Sequence, residues 1–236
     1  MSKRDLSSLP APTIPSSKVI LHISSSTRIK APISRIWNTL IDTSTWSEWN
    51  SFIPHVTIRE QPRSDPSIGD AAAAASSSSS HPDESNEYGN NDNLNNKNKK
   101  KNLSPILNPG TKATFHVLMD PKNPGRTTQV HLVISDFQPP SPDAGSEVGG
   151  RIARIVWSSD YGSGFKGAVS SWFLYAERVH EIQELDGEER GWIEVRTWEA
   201  QRGVLAYVVR YLYGGFLKGC FERWVGDLKV FVERDG

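Results

Sequence analysis

The chain has a single cysteine, Cys220, among its 236 residues. One thiol cannot form an intramolecular disulfide or a thiolate metal site, so a reducing compartment fits best and we expect a cytoplasmic protein. No apolar run approaches the ~20 residues that cross a bilayer, and the first twenty residues lack the apolar block of a signal peptide. The sequence therefore predicts a soluble protein without a transmembrane segment.

The chain also has no excess of either charge, because its 27 basic and 27 acidic side chains give a formal net charge of zero. Binding to nucleic acid through bulk charge requires a basic surplus. We therefore expect no nucleic-acid partner. The lysine-rich stretch 97–101 is interpreted as part of a solvated linker rather than as a nuclear-localisation patch.

Motifs of catalysis and of metal binding are scarce. The six histidines are scattered without an HExxH pattern, and no GxSxG elbow is present. Residues Gly162–Gly167 match GxGxxG, but a strand-like segment follows them where a phosphate-binding loop requires a helix. We interpret these glycines as a flexible loop. The sequence predicts no metal and no cofactor.

Low-complexity sequence divides the chain. Residues 63–104 contain a five-alanine run, a five-serine run and many asparagines. Such a segment buries too little apolar surface to offset the conformational entropy of folding, about 1–2 kcal/mol per residue for the backbone. We expect a disordered insertion at 63–104 and a flexible N-terminus at 1–17. The remaining residues of 18–234 then form one domain.

The most informative pattern is the last one. From Val204 to Val232 apolar residues recur at every fourth position, which predicts a long helix starting after Gly203. A four-residue spacing drifts by roughly 40° per step around a helix of 3.6 residues per turn, so the apolar stripe rotates. We expect the helix either to bend near Gly214 and Gly215 or to lie across a curved surface.

The order of elements predicts an α+β fold. A first strand at 18–30 precedes a helix at 33–41 and a second short helix carrying Trp46 and Trp49. The strand-like segments that follow are 55–60, 111–119, 127–137, 151–157, 171–185 and 191–201. Short turn-rich connections join most of them, so neighbouring strands should be antiparallel.

Several segments in this order resemble one superfamily. They are Ala31–Trp37, Trp46–Ile53, Gly110–Lys112, Thr197–Gly203 and Leu228–Glu233. The chain resembles the START-like, Bet v 1-like (SRPBCC) superfamily, and within it the polyketide cyclase/dehydrase group with its coenzyme-Q-binding relatives. The resemblance implies a helix-grip: a curved antiparallel sheet of about six to seven strands around the C-terminal helix, two short helices after strand 1, and a cavity between sheet and helix.

Aromatic residues supply the candidate binding site. Eight tryptophans are many for this length; most rings should be core, and a subset could line an apolar pocket. Alternation in the last strand puts Val195, Thr197 and Glu199 on the aliphatic, cavity-facing side. The candidate ligand-binding residues are Trp49, Phe52, Phe115, Val117, Trp157, Phe173, Val195, Thr197, Glu199, Val208, Leu212 and Phe216.

Three functions remain open at this stage. The first is binding or transport of a hydrophobic small molecule such as a lipid, sterol, quinone or polyketide. The second, motivated by the resemblance alone, is a polyketide cyclase or aromatase in which Glu199 works with His131 or Tyr161 as acid and base. The third is a protein-interaction module like the co-chaperone branch of the superfamily. Glu199 could equally be the charge partner of an arginine such as Arg178. Ligand identity and oligomeric state stay open.

Overall fold

The computed structural model describes residues 9–62, 103–119, 126–141, 151–161 and 170–234. Most of the low-complexity insertion and the glycine-rich loop 162–167 lie outside the described residues. The elements are β1 (Leu21–Ile29), α1 (Ile33–Ile41), α2 (Trp46–Trp49), β2 (His55–Glu60), β3 (Lys112–Leu118), β4 (Thr127–Gln138), β5 (Ile152–Ser159), β6 (Tyr175–Glu184), β7 (Ile193–Arg202) and α3 (Val204–Glu233).

The seven described strands form one antiparallel sheet in the order β1-β7-β6-β5-β4-β3-β2. The register shifts between Ile58 and Glu60 in β2, and between Ile134 and Asp136 in β4. Such bulges bend a strand and increase its local twist. The sheet, the long C-terminal helix and the two short helices after β1 confirm the predicted α+β helix-grip fold.

The two short helices follow from local sequence. Pro32 precedes the first residue of α1, where its fixed φ suits a helix start. The buried residues of α1, which are Ile33, Ile36, Trp37 and Leu40, recur at helical spacing. Asp42 then accepts a hydrogen bond of 3.0 Å from the Ser44 amide, which caps the short turn leading into α2.

Helix α3 runs parallel to β1 and is tied to that edge of the sheet. The Arg210 guanidinium donates to the Ile20 carbonyl at 3.3 Å, and Lys229 Nζ donates to the Arg28 carbonyl at 2.5 Å. The C-terminal half of α3 is packed into the core through Leu217, Cys220, Phe221, Trp224, Val225, Leu228 and Val232. The N-terminal half instead exposes Val204, Tyr207, Val208, Tyr211 and Leu212. The helix continues without interruption through Gly214 and Gly215.

The two faces of the sheet carry different partners. We call the face toward α3 the inner face, and the opposite one the outer face. On the outer face Val156, Val179 and Trp198 pack with Leu9. Residues 9–17, expected to be flexible, lie against this face, because Thr13 donates to the buried Glu177 carboxylate and Trp198 Nε1 donates to the Pro10 carbonyl at 3.2 Å.

The predicted strand 171–185 is shorter in the structure. Residues 171–173 form a turn in which the Phe173 amide donates to the Ser170 carbonyl at 2.8 Å. The Phe173 carbonyl accepts the Leu205 amide at 2.8 Å, at the start of α3. The turn therefore accepts a hydrogen bond from the first turn of α3, and β6 begins only at Tyr175.

Candidate ligand-binding site

Four polar residues meet at the centre of the inner face. In the strand register Arg178 of β6 lies opposite Trp157 of β5 and Glu199 of β7. Two residues further along β6, His180 lies opposite Thr197. We call Arg178, His180, Thr197 and Glu199 the polar cluster. It lies beneath the C-terminal half of α3, inside an otherwise apolar core.

Arg178 is enclosed by aromatic rings. Its side chain is almost fully buried, with 5% of the residue exposed. The distances from its Cζ to the ring centres are 4.0 Å for Phe221, 5.2 Å for Trp224, 5.5 Å for Trp157 and 5.6 Å for Phe52. At these distances cation–π attraction offsets part of the desolvation of the charge. Burial still lowers the pKa of Arg178 to about 10, which leaves the group charged at neutral pH.

The hydrogen bonds of Arg178 are incomplete. Its Nε donates to Thr197 Oγ1 at 3.3 Å. Its Nη2 has no hydrogen-bond partner among the described residues. A buried guanidinium nitrogen without an acceptor is costly, because the group has given up its hydrogen bonds to water.

His180 lies between two indole rings. Its ring centre is 4.0 Å from that of Trp157 and 4.6 Å from that of Trp224, and the residue is fully buried. Neither ring nitrogen has a partner within the described part of the chain. Burial, helped by the positive charge of Arg178, lowers the pKa of His180 well below 6.5. The imidazole is therefore neutral at pH 7, with one nitrogen able to donate and the other to accept.

Glu199 does not complete the arginine's hydrogen bonds. Its carboxylate accepts a hydrogen bond of 2.5 Å from Gln201 Nε2, its neighbour along β7. Burial raises the pKa of Glu199, although the charge of Arg178 and the bond from Gln201 both oppose that rise. Burial therefore disfavours ionisation of the carboxyl that lies opposite Arg178, whereas the charge of Arg178 favours it.

Unpartnered donors extend beyond the polar cluster. Four buried tryptophans, Trp46, Trp49, Trp157 and Trp224, have indole N–H groups without a hydrogen-bond partner among the described residues. Their rings form one contiguous group. The ring centres of Trp46 and Trp157 are 5.5 Å apart, and those of Trp49 and Trp224 are 5.7 Å apart. Folded proteins leave few buried polar groups unpaired. This concentration marks the inner core as a place where a molecule supplying acceptors would be stabilised.

The structure gathers most of the predicted ligand-binding residues here. Those in or against the inner core are Trp49, Phe52, Phe115, Val117, Trp157, Val195, Thr197, Glu199 and Phe216. Three others lie elsewhere: Phe173, Val208 and Leu212 are 44%, 47% and 61% exposed. Phe173 belongs to the turn before β6, and the other two lie on the exposed half of α3.

The proposed acid–base partners of Glu199 are not brought to it. His131 is on the outer face, where its Nδ1 is 3.0 Å from Thr114 Oγ1. Burial and the charge of Arg59 lower its pKa, while Asp160 opposes them. Tyr161 lies just past β5, where its hydroxyl donates to the Leu174 carbonyl. The structure therefore does not assemble a pair of Glu199 with either residue.

An open groove runs beside the polar cluster at the edge of the sheet. It lies between β1 and α3 and has a volume of about 350 Å³. Its lining residues are Leu21, His22, Ile23, Ser24, Arg210, Gly214, Gly215 and Lys218. Because both glycines lack side chains, the helix leaves the groove open. Ile23, one of the lining residues, is the register partner of Glu199 in β7.

Within the described ranges, no group of three or more His, Cys, Asp or Glu side chains is arranged to hold a metal ion. A search of the same residues finds no helix with the length and hydropathy needed to cross a bilayer.

The architecture, a seven-stranded antiparallel sheet with a long C-terminal helix and two short helices after β1, is that of a helix-grip fold. No family model matches the chain. It is 38% identical over 241 residues to the oxopyrrolidines biosynthesis cluster protein O of Penicillium oxalicum, with 99% of this chain and 98% of that protein covered. Identity at this level along both chains shows common descent, so the chain belongs to the same family as protein O.

Solved structures provide a second comparison. The hypothetical protein jhp0584 from Helicobacter pylori aligns with a TM-score of 0.57 at 14% identity, covering 95% of this chain and 97% of that one. A START superfamily protein from Mycobacterium smegmatis aligns with a TM-score of 0.46 at 11% identity, covering 91% and 99%. At 14% identity, the similarity to jhp0584 shows a shared fold and nothing more.

Proposed function

We propose that the protein binds a hydrophobic small molecule beneath α3, with the polar end of that molecule next to Arg178 and His180. One observation carries the proposal: buried polar groups without partners are concentrated within a single aromatic core, at Arg178 Nη2, at both nitrogens of His180 and at four indoles. A ligand bound there would supply the missing acceptors, and the surrounding rings would bury its apolar part.

Keeping these unpartnered groups in the core has an energetic cost. Each buried polar group without a partner costs about 1–3 kcal/mol of stability. Buried charged groups can often be replaced by apolar side chains of similar volume with no loss of stability. A charged guanidinium among four rings is therefore better explained by recognition of a ligand than by stabilisation of the fold.

The relative's name suggests the kind of ligand. Protein O is named for the biosynthesis of oxopyrrolidines, and an oxopyrrolidine has a ring carbonyl oxygen that accepts hydrogen bonds. We propose that this chain likewise serves the biosynthesis of a small carbonyl-bearing molecule. Such an oxygen would fit beside Arg178 and His180, since both present donors without partners.

A cyclase-type enzyme is the second candidate, and Glu199 favours it. Its carboxyl has a raised pKa and lies opposite the charge of Arg178. A carboxylate that takes a proton from a C–H group beside a carbonyl would leave an enolate, which Arg178 could stabilise. Glu199→Gln should then abolish turnover while leaving ligand affinity within about threefold. Unchanged turnover of a poly-β-keto substrate in that variant would exclude this role.

We also propose that the protein acts in a reducing compartment such as the cytoplasm. Cys220 is a free, buried thiol of α3. Burial raises its pKa, so less of the reactive thiolate forms. Localisation of a fluorescent fusion protein tests this, and a signal confined to an oxidising compartment would contradict it.

Photolabelling tests the proposed location of the ligand. A neutral alkyl diazirine with a ten-carbon chain would be bound to the purified protein, activated by light, and mapped by peptide mass spectrometry. We expect labels on the inner core, at peptides containing Trp157, Arg178 or Phe221. Labels confined to the exposed residues 204–213 of α3, or no saturable labelling, would contradict the proposal.

A further inference from the structure

We infer that the natural ligand carries one acidic oxygen group, a carboxylate or an enolised 1,3-dicarbonyl, and is bound as the anion with Arg178 as its counter-ion. This inference rests on the proposed function and adds the charge and chemical class of the ligand. It is drawn from the charge balance of the inner core rather than from the count of unpaired donors.

The contrast with other arginines shows that Arg178 lacks a direct carboxylate partner among the described residues. Two further arginines with largely buried side chains each have a carboxylate partner: Arg59 contacts Asp160 at 2.8 Å, and Arg196 contacts Glu181 at 3.1 Å. Arg178 is buried to a similar degree. Among the described residues it has no carboxylate within the 4 Å of an ion pair, although Glu199 is its direct neighbour in the sheet.

No group facing Arg178 forms an ion pair with it among the described residues. On β7, Thr197 is uncharged, and Glu199 accepts its hydrogen bond from Gln201, although its charge still favours the ionised form of Arg178 by raising the arginine's pKa. On β6, His180 is neutral at pH 7. From α3 the side chains that approach are the rings of Phe221 and Trp224 and the thiol of Cys220, whose pKa is raised.

A single anionic oxygen group fits this environment. One negative charge would balance the one positive charge of Arg178, and its oxygens would accept from Nη2 and from nearby indole N–H groups. The surrounding rings exclude water, which strengthens attraction between opposite charges. Among the described contacts Arg178 is the cation against these rings, and Arg223 approaches the neighbouring Cys220, with its Nη2 4.0 Å from Sγ. A single negative charge therefore matches Arg178.

Two matched pairs of probes test the inference. Decanoate is compared with decanamide, and 2-acetylcyclohexane-1,3-dione, which is acidic, with the much less acidic 2-acetylcyclohexanone. Calorimetric titration at pH 7 should give the acidic member of at least one pair an affinity ten or more times that of its neutral partner. A preference in the first pair identifies a carboxylate, and one in the second an enolised dicarbonyl; either supports the inference.

Variants assign the preference to Arg178. Arg178→Met should lower the affinity for the acidic probe to about that of its neutral partner and lower the affinity for the neutral partner much less. Arg178→Lys keeps a charge and should retain part of the preference. Arg154→Met is the control, because Arg154 pairs with Asp136 near the surface, with 35% of its side chain exposed. Circular dichroism confirms that each variant is folded.

The outcomes separate this inference from the proposed function. If neutral and acidic probes bind equally to the natural sequence, or if Arg178→Met keeps the preference, the inference is wrong and small-molecule binding stands. If none of the four probes binds and the neutral diazirine also fails to label the inner core, both fail together.

Discussion

Arg178 lies directly opposite Glu199 in the ladder of β6 and β7, yet its Nε donates to Thr197 and its Nη2 has no partner among the described residues. Two oppositely charged side chains in such register usually pair. Here Glu199 is bonded to Gln201. The arginine is thus held in the core by rings and by one hydroxyl, and is left available to a ligand.

Replacing Arg178 should separate stability from binding. Arg178→Met removes a buried, unpaired charge and keeps an unbranched side chain, so we expect the free energy of unfolding to stay within about 1 kcal/mol of the natural protein or to rise. Urea unfolding measures this. A loss of more than about 3 kcal/mol would mean that the charge has a structural partner and would argue against a binding role.

His180 should make stability depend on pH. Its pKa in the folded protein is well below 6.5, whereas the unfolded chain takes up the proton near pH 6.5. The unfolded state therefore binds more protons below pH 6.5, and the free energy of unfolding should fall as the pH falls, by up to about 1.4 kcal/mol per pH unit.

The variant His180→Phe isolates this contribution. Glu199, with its raised pKa, acts in the opposite direction: above about pH 4.5 the folded state keeps a proton that the unfolded state has lost. The difference between natural protein and variant removes that contribution. We expect the difference to change between pH 7 and pH 5. Parallel curves for natural protein and His180→Phe would show that His180 is protonated normally.

Gly203 should tolerate no side chain. Its φ is +101°, and a Cβ built there would lie 2.5 Å from the Phe173 carbonyl oxygen. Gly203→Ala should therefore cost about 2 kcal/mol or more. Gly214→Ala is the matched control, because a Cβ there meets nothing within 4 Å and alanine favours helix by about 1 kcal/mol. In thermal unfolding, the midpoint temperature should be lower for Gly203→Ala and higher for Gly214→Ala than for the natural protein. Midpoints that shift in the same direction for both variants would contradict the geometry.

Residues 63–102 should be dispensable for folding, because residues just before and just after this segment are hydrogen-bonded to each other. The Ser104 amide donates to Gln61 Oε1 at 2.9 Å, and Gln61 Nε2 donates to the Ser104 carbonyl at 3.1 Å. Replacing residues 63–102 by a short Gly-Ser linker should shift the melting temperature by less than about 5 °C, since loop length affects stability only weakly. A larger drop would show that the insertion contributes to the core.

The sequence predicted the fold because its patterns are local. The four-residue spacing located α3 to within one residue at each end, and the break at Gly203 was correct. Alternation in β7 put Val195, Thr197 and Glu199 on one face, and all three lie on the inner side of the sheet. These features depend on the period of one element and not on its neighbours.

The centre of the site was harder to predict, because both faces of β6 are covered. Residues 9–17 bury the outer face around Val179, so both faces of β6 carry buried residues and alternation could not orient Arg178 and His180. Their signal was present: two ionisable residues two positions apart, and therefore on the same face of the strand. Only the register with β7 shows that they face Thr197 and Glu199. The exposure of Val208 and Leu212 could not be predicted either, because the apolar periodicity of α3 does not show which part of the helix packs against the core.

A crystal structure grown with the tightest-binding of the four probes tests the central claim most directly. The account predicts a probe oxygen within about 3 Å of Arg178 Nη2, with the apolar part against Phe52 and Phe221. A probe seated in the groove between β1 and α3, or on the exposed half of α3, with Arg178 still unpartnered, would contradict it.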